Sequence, residues 1–461
     1  MDINTKIDEL KSELIEDTQK LIRIKSVKDE GSLNMPFGSG INDALLAVLN
    51  LGKKMGFRTK NVDGYMGYIE YGDGEEIAGV LGHLDVVPEG DGWNYPAYGA
   101  EIHDGKIYGR GTLDDKGPMI ASLYALYALK ETGFMPNKRI RILFGTDEEN
   151  GCGEIDYYLK REEKFSIGFT PDGCFPIIFA EKGITFFNIV KEFSNDENRK
   201  LVYIKGGHRP NMVPDYCEFS INDSNTDSIV KKINDFAVKT GFDLKYELKD
   251  NSILVKSYGI SAHGSTPEKG RNAVMQAVLL IQSLGICSGE IGDAIDFFAD
   301  NIGIETNGRS FGVSLRDDVS GELSFNVGTI ELKDNKISLG LNLRYPVTSS
   351  FEEMKKHFND KIEGTGFRIE NMQHQKPLYF PKDHKLIRIL SEVYTEITGE
   401  KSELLAIGGG TYAKEMMNIV AFGPIFPGKP DLDHQANECI EIDDLIKITK
   451  IYALALKKLS V

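Results

Sequence analysis

An imidazole and a carboxylate two residues apart lie at the end of an apolar stretch in this chain of 461 residues. The run from Ile77 to Leu84 is small and apolar enough for an inner strand of a parallel sheet, and Pro88 ends it. Residues two apart on a strand share a face, so His83 and Asp85 should point into the same crevice. Such a pair can bind a metal ion or be merely solvated. Further metal-binding residue types later in the sequence would favour the metal site.

More acidic side chains follow other apolar runs, at the points where strands should end. In open α/β sheets, ligands bind at the carboxyl ends of the strands. Residues from distant parts of the chain should therefore meet at one edge of the sheet. The clusters are His83 with Asp85, Asp114 with Asp115, Glu148 with Glu149, and Asp172.

Imidazoles and carboxylates without a thiolate make a site for zinc, manganese or cobalt. The chain offers more such ligands than one ion needs, so two ions about 3.5–4 Å apart could share a bridging group. Such a pair lowers the pKa of a bridging water and holds the oxygen that the water attacks. A separate carboxylate must then carry the proton, and the adjacent Glu148 and Glu149 could divide these tasks.

Strands and helices alternate up to about residue 180, which predicts an α/β domain with a mostly parallel sheet and helices on both faces. From about residue 181 to 377, long alternating stretches predict a separate α+β domain, and the α/β pattern then returns. We therefore predict a discontinuous metal-binding, catalytic domain over 1–180 and 378–461, interrupted by an inserted domain over 181–377.

Hydrophobic periodicity and turn residues also place individual elements. The predicted helices are 4–24, 42–55, 118–132, 271–284, 351–358, 385–398 and 442–459. The predicted strands are 58–62, 65–71, 77–84, 139–144, 166–170, 186–191, 242–248, 253–258, 337–343 and 419–422.

Composition limits the class of protein. The net charge of −16 argues against a nucleic-acid partner. No run reaches about 18 apolar residues, so we expect no membrane span, and the N-terminal residues have the pattern of an amphipathic helix without the apolar core of a secretory signal. Five scattered cysteines suit a reducing cytoplasm better than a disulfide framework.

The order H-x-D, D-x-K-G, E-E, D and a distant C-terminal H resembles the dinuclear-zinc exopeptidase family, which includes aminoacylase, glutamate carboxypeptidase, succinyl-diaminopimelate desuccinylase and the dipeptidases. The resemblance covers nearly the whole chain and is closest to the bacterial PepV-type dipeptidases. The stretches that carry it, beside the first strand, are Gly-Arg-Gly-Thr-Leu-Asp-Asp-Lys-Gly-Pro at 109–118, Pro171-Asp172-Gly173, Ser261-Ala262-His263-Gly264-Ser265 and Gly409-Gly410-Thr411-Tyr412-Ala413.

The resemblance implies two divalent metal ions, with zinc expected first and manganese or cobalt as alternatives. Asp115 is adjacent to the implied bridging residue, but the spacing to Lys116 favours Asp114 as the bridge. His434 lies far beyond Asp172 in the sequence, yet a ligand must lie within about 2.1 Å of its metal. The chain must therefore leave this domain after Asp172 and return to it before His434. The implied ligands are Asp114 at both ions, His83 and Asp172 at one, and Glu149 and His434 at the other.

Two further residues beside the metals have implied roles in catalysis. Glu148 would be the general base that takes a proton from the water and later gives it to the leaving amine. Asp85 would hold the second ring nitrogen of His83 and so fix its tautomer. An Asp at position 172, where deacylases tend to have Glu, resembles the aminopeptidase and dipeptidase branch.

The inserted domain resembles the family's lid domain and carries implied substrate-binding residues. Asn211 belongs to this set, His263 would donate a hydrogen bond to the developing oxyanion, and Arg344 would bind the substrate's terminal carboxylate. Without the resemblance, Arg344 could equally form a surface ion pair and His263 could be solvated. Gly409 or Gly410 would offer a backbone N–H, or else form only a tight turn. The remaining histidines are assigned to surface or core: His103, His208, His357, His374 and His384.

The expected function is a cytoplasmic metallo-exopeptidase that hydrolyses dipeptides with a free amino terminus. An N-acyl amino acid amidohydrolase or desuccinylase with the same metal centre is the alternative enzyme, and a metal-binding protein without catalysis is the alternative from another class. The expected partner is a small dipeptide, with no nucleic acid and no membrane. The length of the lid favours a monomer, and a homodimer is the alternative.

Overall fold

The computed structural model describes residues 2–194, 199–249 and 252–461. Its helices are α1 (Ile3–Glu9), α2 (Lys11–Ile22), α3 (Ser39–Lys54), α4 (Lys116–Glu131), α5 (Gly153–Leu159), α6 (Thr226–Thr240), α7 (Ala273–Leu284), α8 (Gly289–Asn301), α9 (Phe351–Ile362), α10 (Lys385–Thr398) and α11 (Ile442–Leu459). Short 3₁₀ helices cover Glu148–Asn150, Pro267–Lys269 and Tyr412–Glu415.

The strands of the first half of the chain are β1 (Arg58–Val62), β2 (Met66–Tyr71), β3 (Ile77–His83), β4 (Glu101–His103), β5 (Lys106–Tyr108), β6 (Arg139–Gly145), β7 (Ile167–Thr170), β8 (Ile177–Glu181), β9 (Gly183–Glu192), β10 (Leu201–Gly206) and β11 (Tyr216–Asn222). Those of the second half are β12 (Asp243–Lys249), β13 (Ser252–Tyr258), β14 (Arg316–Asp317), β15 (Gly321–Glu322), β16 (Ser324–Lys333), β17 (Lys336–Tyr345), β18 (Arg368–Gln375), β19 (Leu378–Tyr379), β20 (Leu404–Ile407), β21 (Ile419–Ala421) and β22 (Cys439–Glu441).

The chain folds into two compact units. Unit 1 comprises Met1–Phe179, Tyr379–Leu405 and Thr411–Val461, and unit 2 comprises Ala180–Leu378 with the short segment Ala406–Gly410. The sequence analysis assigned everything after residue 377 to one domain, whereas Ala406–Gly410 groups with unit 2. Unit 1 contains the first strand considered above, β3.

The sheet of unit 1 has parallel strands at its centre. Its strands run in the order β1-β2-β6-β3-β7-β21-β8. The four strands β6, β3, β7 and β21 are parallel, while β1, β2 and β8 are antiparallel to their neighbours. The prediction of a mainly parallel sheet is confirmed for this centre. Because parallel strands end at one edge, the segments that follow β3, β6 and β7 meet there.

Helices cover both faces of this sheet, as the sequence predicted. A Cβ built on Gly82 of β3 would lie 2.3 Å from Met119 Sδ, so α4 packs closely on that face, and α1, α2 and α11 pack on α4. Gly79 is separated from Gly82 by an odd number of positions along β3, so it faces the other side of the sheet. Its neighbour in β6, Arg141, donates to the Tyr158 hydroxyl of α5 at 2.7 Å. Every residue of β3 is buried, as expected for a strand covered on both faces.

Unit 2 is built on one antiparallel sheet, whose strands run in the order β12-β13-β11-β10-β16-β17-β9-β18. Alternate residues of β13 are buried, which is typical of a sheet with one covered face. Side chains of α6, α7, α8 and α9 pack on the covered face and form an apolar core. The rings of Phe187 in β9 and Phe358 in α9 meet edge to face at 4.7 Å between centroids within this core.

Most predicted elements are present, with their ends shifted by a few residues. Helices α10 and α11 have the predicted ends, and the predicted hairpin of β1 and β2 is confirmed. The first predicted helix is wrong as a single element, because α1 ends at Glu9 and α2 begins at Lys11. Among the described residues, no helix is both long enough and apolar enough to cross a membrane.

Candidate metal centre

His83 is the last residue of β3 and lies at the edge where the parallel strands of unit 1 end. Its side chain is fully buried. The preceding Gly82 leaves room for the start of α4, because a Cβ there would lie 2.2 Å from Asp115 Oδ2. The backbone N–H of His83 donates to the same Asp115 oxygen at 3.2 Å. The strand end and the segment before α4 are thus held together.

Asp114 lies between two imidazoles. Its Oδ1 is 2.8 Å from His83 Nε2, and its Oδ2 is 3.0 Å from His434 Nε2. The peptide bond that joins it to Asp115 is cis. A carboxylate that presents one oxygen to each of two histidines is arranged to bridge two cations.

Three more carboxylates complete the cluster in unit 1. Glu148 and Glu149 follow β6, and Asp172 follows β7. Glu149 Oε2 lies 3.1 Å from His434 Nε2. The groups whose possible ligand atoms all lie within 4.8 Å of one another are His83-Asp114-Asp172, His83-Glu148-Glu149 and Asp114-Glu149-His434.

These groups fit a pair of divalent cations. The first and third groups contain Asp114 in common, so one carboxylate can serve both ions. The remaining group contains both Glu148 and Glu149, so the fold brings the two adjacent glutamates to the same cluster. Imidazole nitrogens and carboxylate oxygens together suit zinc, manganese and cobalt.

The pKa values of the carboxylates reflect their burial and mutual repulsion. Burial, followed by the Asp172 charge, raises the pKa of Glu148 well above its ordinary value. Burial raises the pKa of Glu149 to about 7, and burial with the Asp114 charge raises that of Asp172 to about 6. Burial acts in the same direction on Asp114, but hydrogen bonds from the two imidazoles outweigh it and lower its pKa. Divalent cations would supply the positive charge that this cluster demands.

Asp85 lies beside the second ring nitrogen of His83. The Nδ1 atom of His83 lies 2.9 Å from the backbone carbonyl oxygen of Asp85 and 3.5 Å from its carboxylate. The carboxylate also accepts hydrogen bonds from the backbone N–H groups of Glu148 and Glu149, at 3.2 and 3.1 Å. Since a carbonyl oxygen can only accept, the Nδ1 of His83 carries a proton, so Nε2, which faces Asp114, is the nitrogen that would bind a metal.

Two buried groups beside the cluster were missed by sequence reasoning. Glu438 accepts hydrogen bonds from the backbone of the loop that contains Asp114. Tyr412 donates its backbone N–H to the Asp172 carboxylate and its hydroxyl to Glu154. Glu438 follows His434 by four residues, but nothing in a single sequence distinguishes it from a solvated glutamate.

Within unit 2, the structure brings the predicted substrate-binding residues together. Arg344 Nη2 lies 3.5 Å from His263 Nε2. Arg344 Nη1 donates to the carbonyl oxygen of Gly408, the residue before Gly409, at 2.6 Å. The backbone carbonyl of Asn211 accepts from the N–H of Gly264, the neighbour of His263, at 2.7 Å. Arg344 and His263 therefore lie side by side, Asn211 bonds the neighbour of His263, and Gly409 follows the residue that Arg344 bonds.

Arg344 is buried, with 3% of its surface exposed. Its Nε donates to Asn342 Oδ1 at 3.1 Å, and no carboxylate of residues 2–194, 199–249 and 252–461 pairs with it. Burial lowers its pKa to about 10. The alternative of a surface ion pair is therefore wrong, and a buried guanidinium without a carboxylate partner is suited to receive an anion.

His263 has a partner at each ring nitrogen. Its Nδ1 lies 2.6 Å from Ser265 Oγ, and the Ser265 backbone N–H donates to it at 3.4 Å. Two donors, the Ser265 N–H at Nδ1 and the Arg344 guanidinium at Nε2, face opposite nitrogens of the ring, so each tautomer of His263 finds partners in this structure. Burial, assisted by the Arg344 charge, lowers the pKa of His263. The ring is thus held between Ser265 and Arg344.

Comparison with known proteins identifies the family. Residues 79–458 match the model of Peptidase family M20/M25/M40. The chain is 40% identical over 460 residues to the Bacillus subtilis (strain 168) protein named "Putative dipeptidase YtjP", with 98% of each chain covered. It is 36% identical over 465 residues, with 99% of each covered, to a Staphylococcus epidermidis protein of the same general name.

Solved structures share the fold at low sequence identity. Human carnosine dipeptidase 1 superposes with a TM-score of 0.58 at 14% identity, covering 99% of this chain and 98% of that one. The aminopeptidase PepT from Bacillus cereus gives 0.59 at 14% identity, with 98% and 99% covered.

This chain belongs to the M20 peptidase family, and the resemblance found in its motifs is confirmed. The protein is a hydrolase that acts on peptide bonds.

Proposed function

We propose that this protein is a dipeptidase that cleaves dipeptides with a free amino terminus, with two divalent cations and Glu148 as the general base. The observation that carries the proposal is Asp114, whose two oxygens lie 2.8 and 3.0 Å from two different imidazoles. The proposed ligands are Asp114 as the bridge, His83 and Asp172 at one cation, and Glu149 and His434 at the other.

Bound divalent cations would polarise the scissile carbonyl and lower the pKa of the attacking water. Glu148 accepts the proton of that water at a carboxylate oxygen and donates it to the leaving amine. Its backbone N–H is held by Asp85, which also fixes the tautomer of His83 through its carbonyl oxygen. A single residue thus positions both the base and one metal ligand.

The buried group in unit 2 supports recognition of a substrate carboxylate. Arg344 offers a guanidinium that no carboxylate of the described chain neutralises, and such a fork matches a terminal carboxylate. We assign His263 to the oxygen of the scissile carbonyl, because the tautomer that accepts the Ser265 N–H at Nδ1 would donate a hydrogen bond there from Nε2. Asn211 and the backbone of Gly409 would complete the contacts to the substrate.

Relatives and composition support the remaining parts of the proposal. The two relatives above carry dipeptidase names, and unit 2 would act as the lid domain. The five cysteines are unpaired thiols, which suits the reducing cytoplasm. We propose zinc as the first metal, with manganese or cobalt as alternatives, and a monomer as the active form.

A matched set of substrates tests this function. Purified protein with zinc, manganese or cobalt is assayed on a dipeptide, its N-acetyl derivative, the corresponding N-acetyl amino acid and a tripeptide. We expect hydrolysis of the free dipeptide and little of the others, with activity lost on chelation. Preference for the N-acetyl amino acid would contradict the proposal and identify an N-acyl amidohydrolase.

A further inference from the structure

A buried carboxylate holds the loop that carries Asp114. Glu438 is fully buried. Its oxygens accept backbone hydrogen bonds from Gly111 at 3.0 Å, Leu113 at 2.8 Å and Asp114 at 3.3 Å. The Arg110 guanidinium donates to the same carboxylate at 2.8 Å. Successive N–H groups that converge on one point form an anion-binding concavity, so the shape of this loop depends on a negative charge there.

The segment that contains Glu438 also carries His434. The φ angle of His434 is +62°, in the left-handed region that non-glycine residues seldom adopt. Asn437 anchors this segment, since its Oδ1 accepts from the Asn94 N–H at 2.7 Å and its Nδ2 donates to the Gly92 carbonyl at 3.1 Å. Glu438 and Asn437 together therefore keep an unfavourable backbone conformation in place, and that conformation aims the His434 ring at Asp114.

The partner of Glu438 is itself fixed in place. Arg110 is 2% exposed, and its guanidinium carbon lies 5.4 Å from the centre of the Trp93 ring. Its Nη2 donates to the Glu89 carbonyl oxygen at 3.4 Å. Loss of the negative charge at Glu438 would leave this guanidinium buried without its counter-ion, so the loop would have to move.

We propose that Glu438 is a positioning residue that sets the separation of Asp114 and His434, and thereby the geometry of the cation site these two ligands form with Glu149. The inference rests on the proposed function for the presence of the cations. Glu438 itself belongs to none of the candidate ligand groups. It acts through two segments that carry ligands, the loop of Asp114 and the segment of His434. Its carboxylate joins them by bonding the Asp114 N–H, 324 residues away in the chain.

Cobalt binding tests this role without an activity assay. Chelator-treated wild type, Glu438→Gln and Glu438→Asp are titrated with Co²⁺, whose visible absorption reports the geometry of its ligands. We expect wild type to bind two ions per chain. Glu438→Gln should bind one of them about 10–100-fold more weakly, as for residues that support metal ligands elsewhere, with an altered spectrum. Glu438→Asp should recover part of the affinity because it restores the charge.

The control is a buried glutamate of the same unit that bonds an arginine but supports no ligand. Glu70 is 7% exposed, and Arg141 donates to it at 2.6 Å. Glu70→Gln should lower the melting temperature and leave both Co²⁺ affinities and the spectrum unchanged.

The outcomes separate this inference from the proposed function. If folded Glu438→Gln binds both ions as wild type does, the positioning role is overturned while the metal centre stands. If Glu438→Gln fails to fold, Glu438→Asp replaces it, because the shorter side chain displaces the carboxylate, and wild-type Co²⁺ affinities and spectrum in that variant also overturn the role. Wild type that binds no Co²⁺ contradicts the proposed metal centre and, with it, this inference.

Discussion

His434 lies 285 residues after Glu149 in the chain, and their side chains approach to 3.1 Å. Both belong to unit 1, although Thr411–Val461, which contains His434, follows the whole of the inserted unit 2. The ligand set is therefore complete only when the last segment of the chain has packed onto the first. Removal of the His434 side chain should consequently affect one cation and spare the other.

We expect two divalent ions per chain in active protein, measured by elemental analysis after gel filtration. His434→Ala should retain about one, because His83 and Asp172 still serve the other cation, whereas Asp114→Ala should weaken binding of both. Chelation should abolish hydrolysis, and zinc, manganese or cobalt should restore it. Full activity in chelated protein that contains no metal would refute the metal centre.

Glu148 and Glu149 are adjacent, and substitution by glutamine should separate their roles. Glu148→Gln should keep both metals and lose on the order of 10²–10⁴-fold in turnover, because the proton carrier is gone. Glu149→Gln should weaken metal binding, because its oxygen lies with Asp114 and His434 in one group of ligands. Metal content and kcat are measured on both variants. The reverse pattern would exchange the two assignments.

Hydrophobic periodicity predicted most of the architecture because buried strands and amphipathic helices leave clear patterns. Strand β3 is apolar throughout and covered on both faces, and α11 has a long apolar stripe. Helices α6 and α8 were not predicted. Their sequences contain residues of low helix propensity, including two glycines in α8 and three β-branched residues in the first half of α6. Packing in the core of unit 2 overrides that propensity.

The sequence predicted the candidate site only at residues whose side-chain type itself indicates metal binding or catalysis. Histidines and paired carboxylates at strand ends indicated the ligand cluster, and the structure gathers all five proposed ligands in it. Glu438 has no such signal, because its importance comes from backbone N–H groups of a loop more than 300 residues away. The contacts of the Asp85 carboxylate with the Glu148 and Glu149 N–H groups had no signal for a similar reason, since they are made to the backbone.

The stability of the protein should depend on the protonation of Glu154. This residue is fully buried, and burial raises its pKa from 4.5 to about 7. Between these values the folded state binds more protons than the unfolded chain, so stability present below pH 4.5 is lost as the pH rises to about 7. The loss is about 3 kcal/mol at most.

Glu154→Gln has no proton to lose and should be free of this dependence. Urea unfolding is measured at pH 5 to 8 and constant metal concentration. As the pH rises, the free energy of unfolding of the variant should increase relative to that of wild type by up to about 3 kcal/mol. Parallel curves for the two proteins would mean that Glu154 does not titrate in this range.

Arg344 should make the enzyme selective for a free terminal carboxylate at the length of a dipeptide. The free acid should be cleaved much faster than its C-terminal amide, since only the acid neutralises the buried guanidinium. Arg344→Met should raise KM for the acid about 10–100-fold, as for loss of a hydrogen bond to a charged group, and should remove most of the discrimination against the amide. Equal rates for acid and amide in wild type would remove Arg344 from substrate binding.

His263 should act on turnover more than on affinity. Attack on an amide carbonyl builds negative charge on its oxygen, so a donor aimed at that oxygen stabilises the transition state more than the bound substrate. In the tautomer that accepts the Ser265 N–H at Nδ1, the Nε2 atom of His263 is the donor. His263→Ala should therefore lower kcat about 10²–10³-fold with little change in KM and no loss of metal.

The matched control for this variant is His103→Ala, because His103 is bonded to the exposed Glu101 at 2.8 Å and lies outside the ligand groups. It should keep full activity. Mixing His263→Ala with Glu148→Gln tests whether one chain completes its own site. Each variant retains the group that the other lacks, so a donor supplied by a neighbouring copy would restore activity in the mixture. We expect no recovery, because the proposed active form is a monomer.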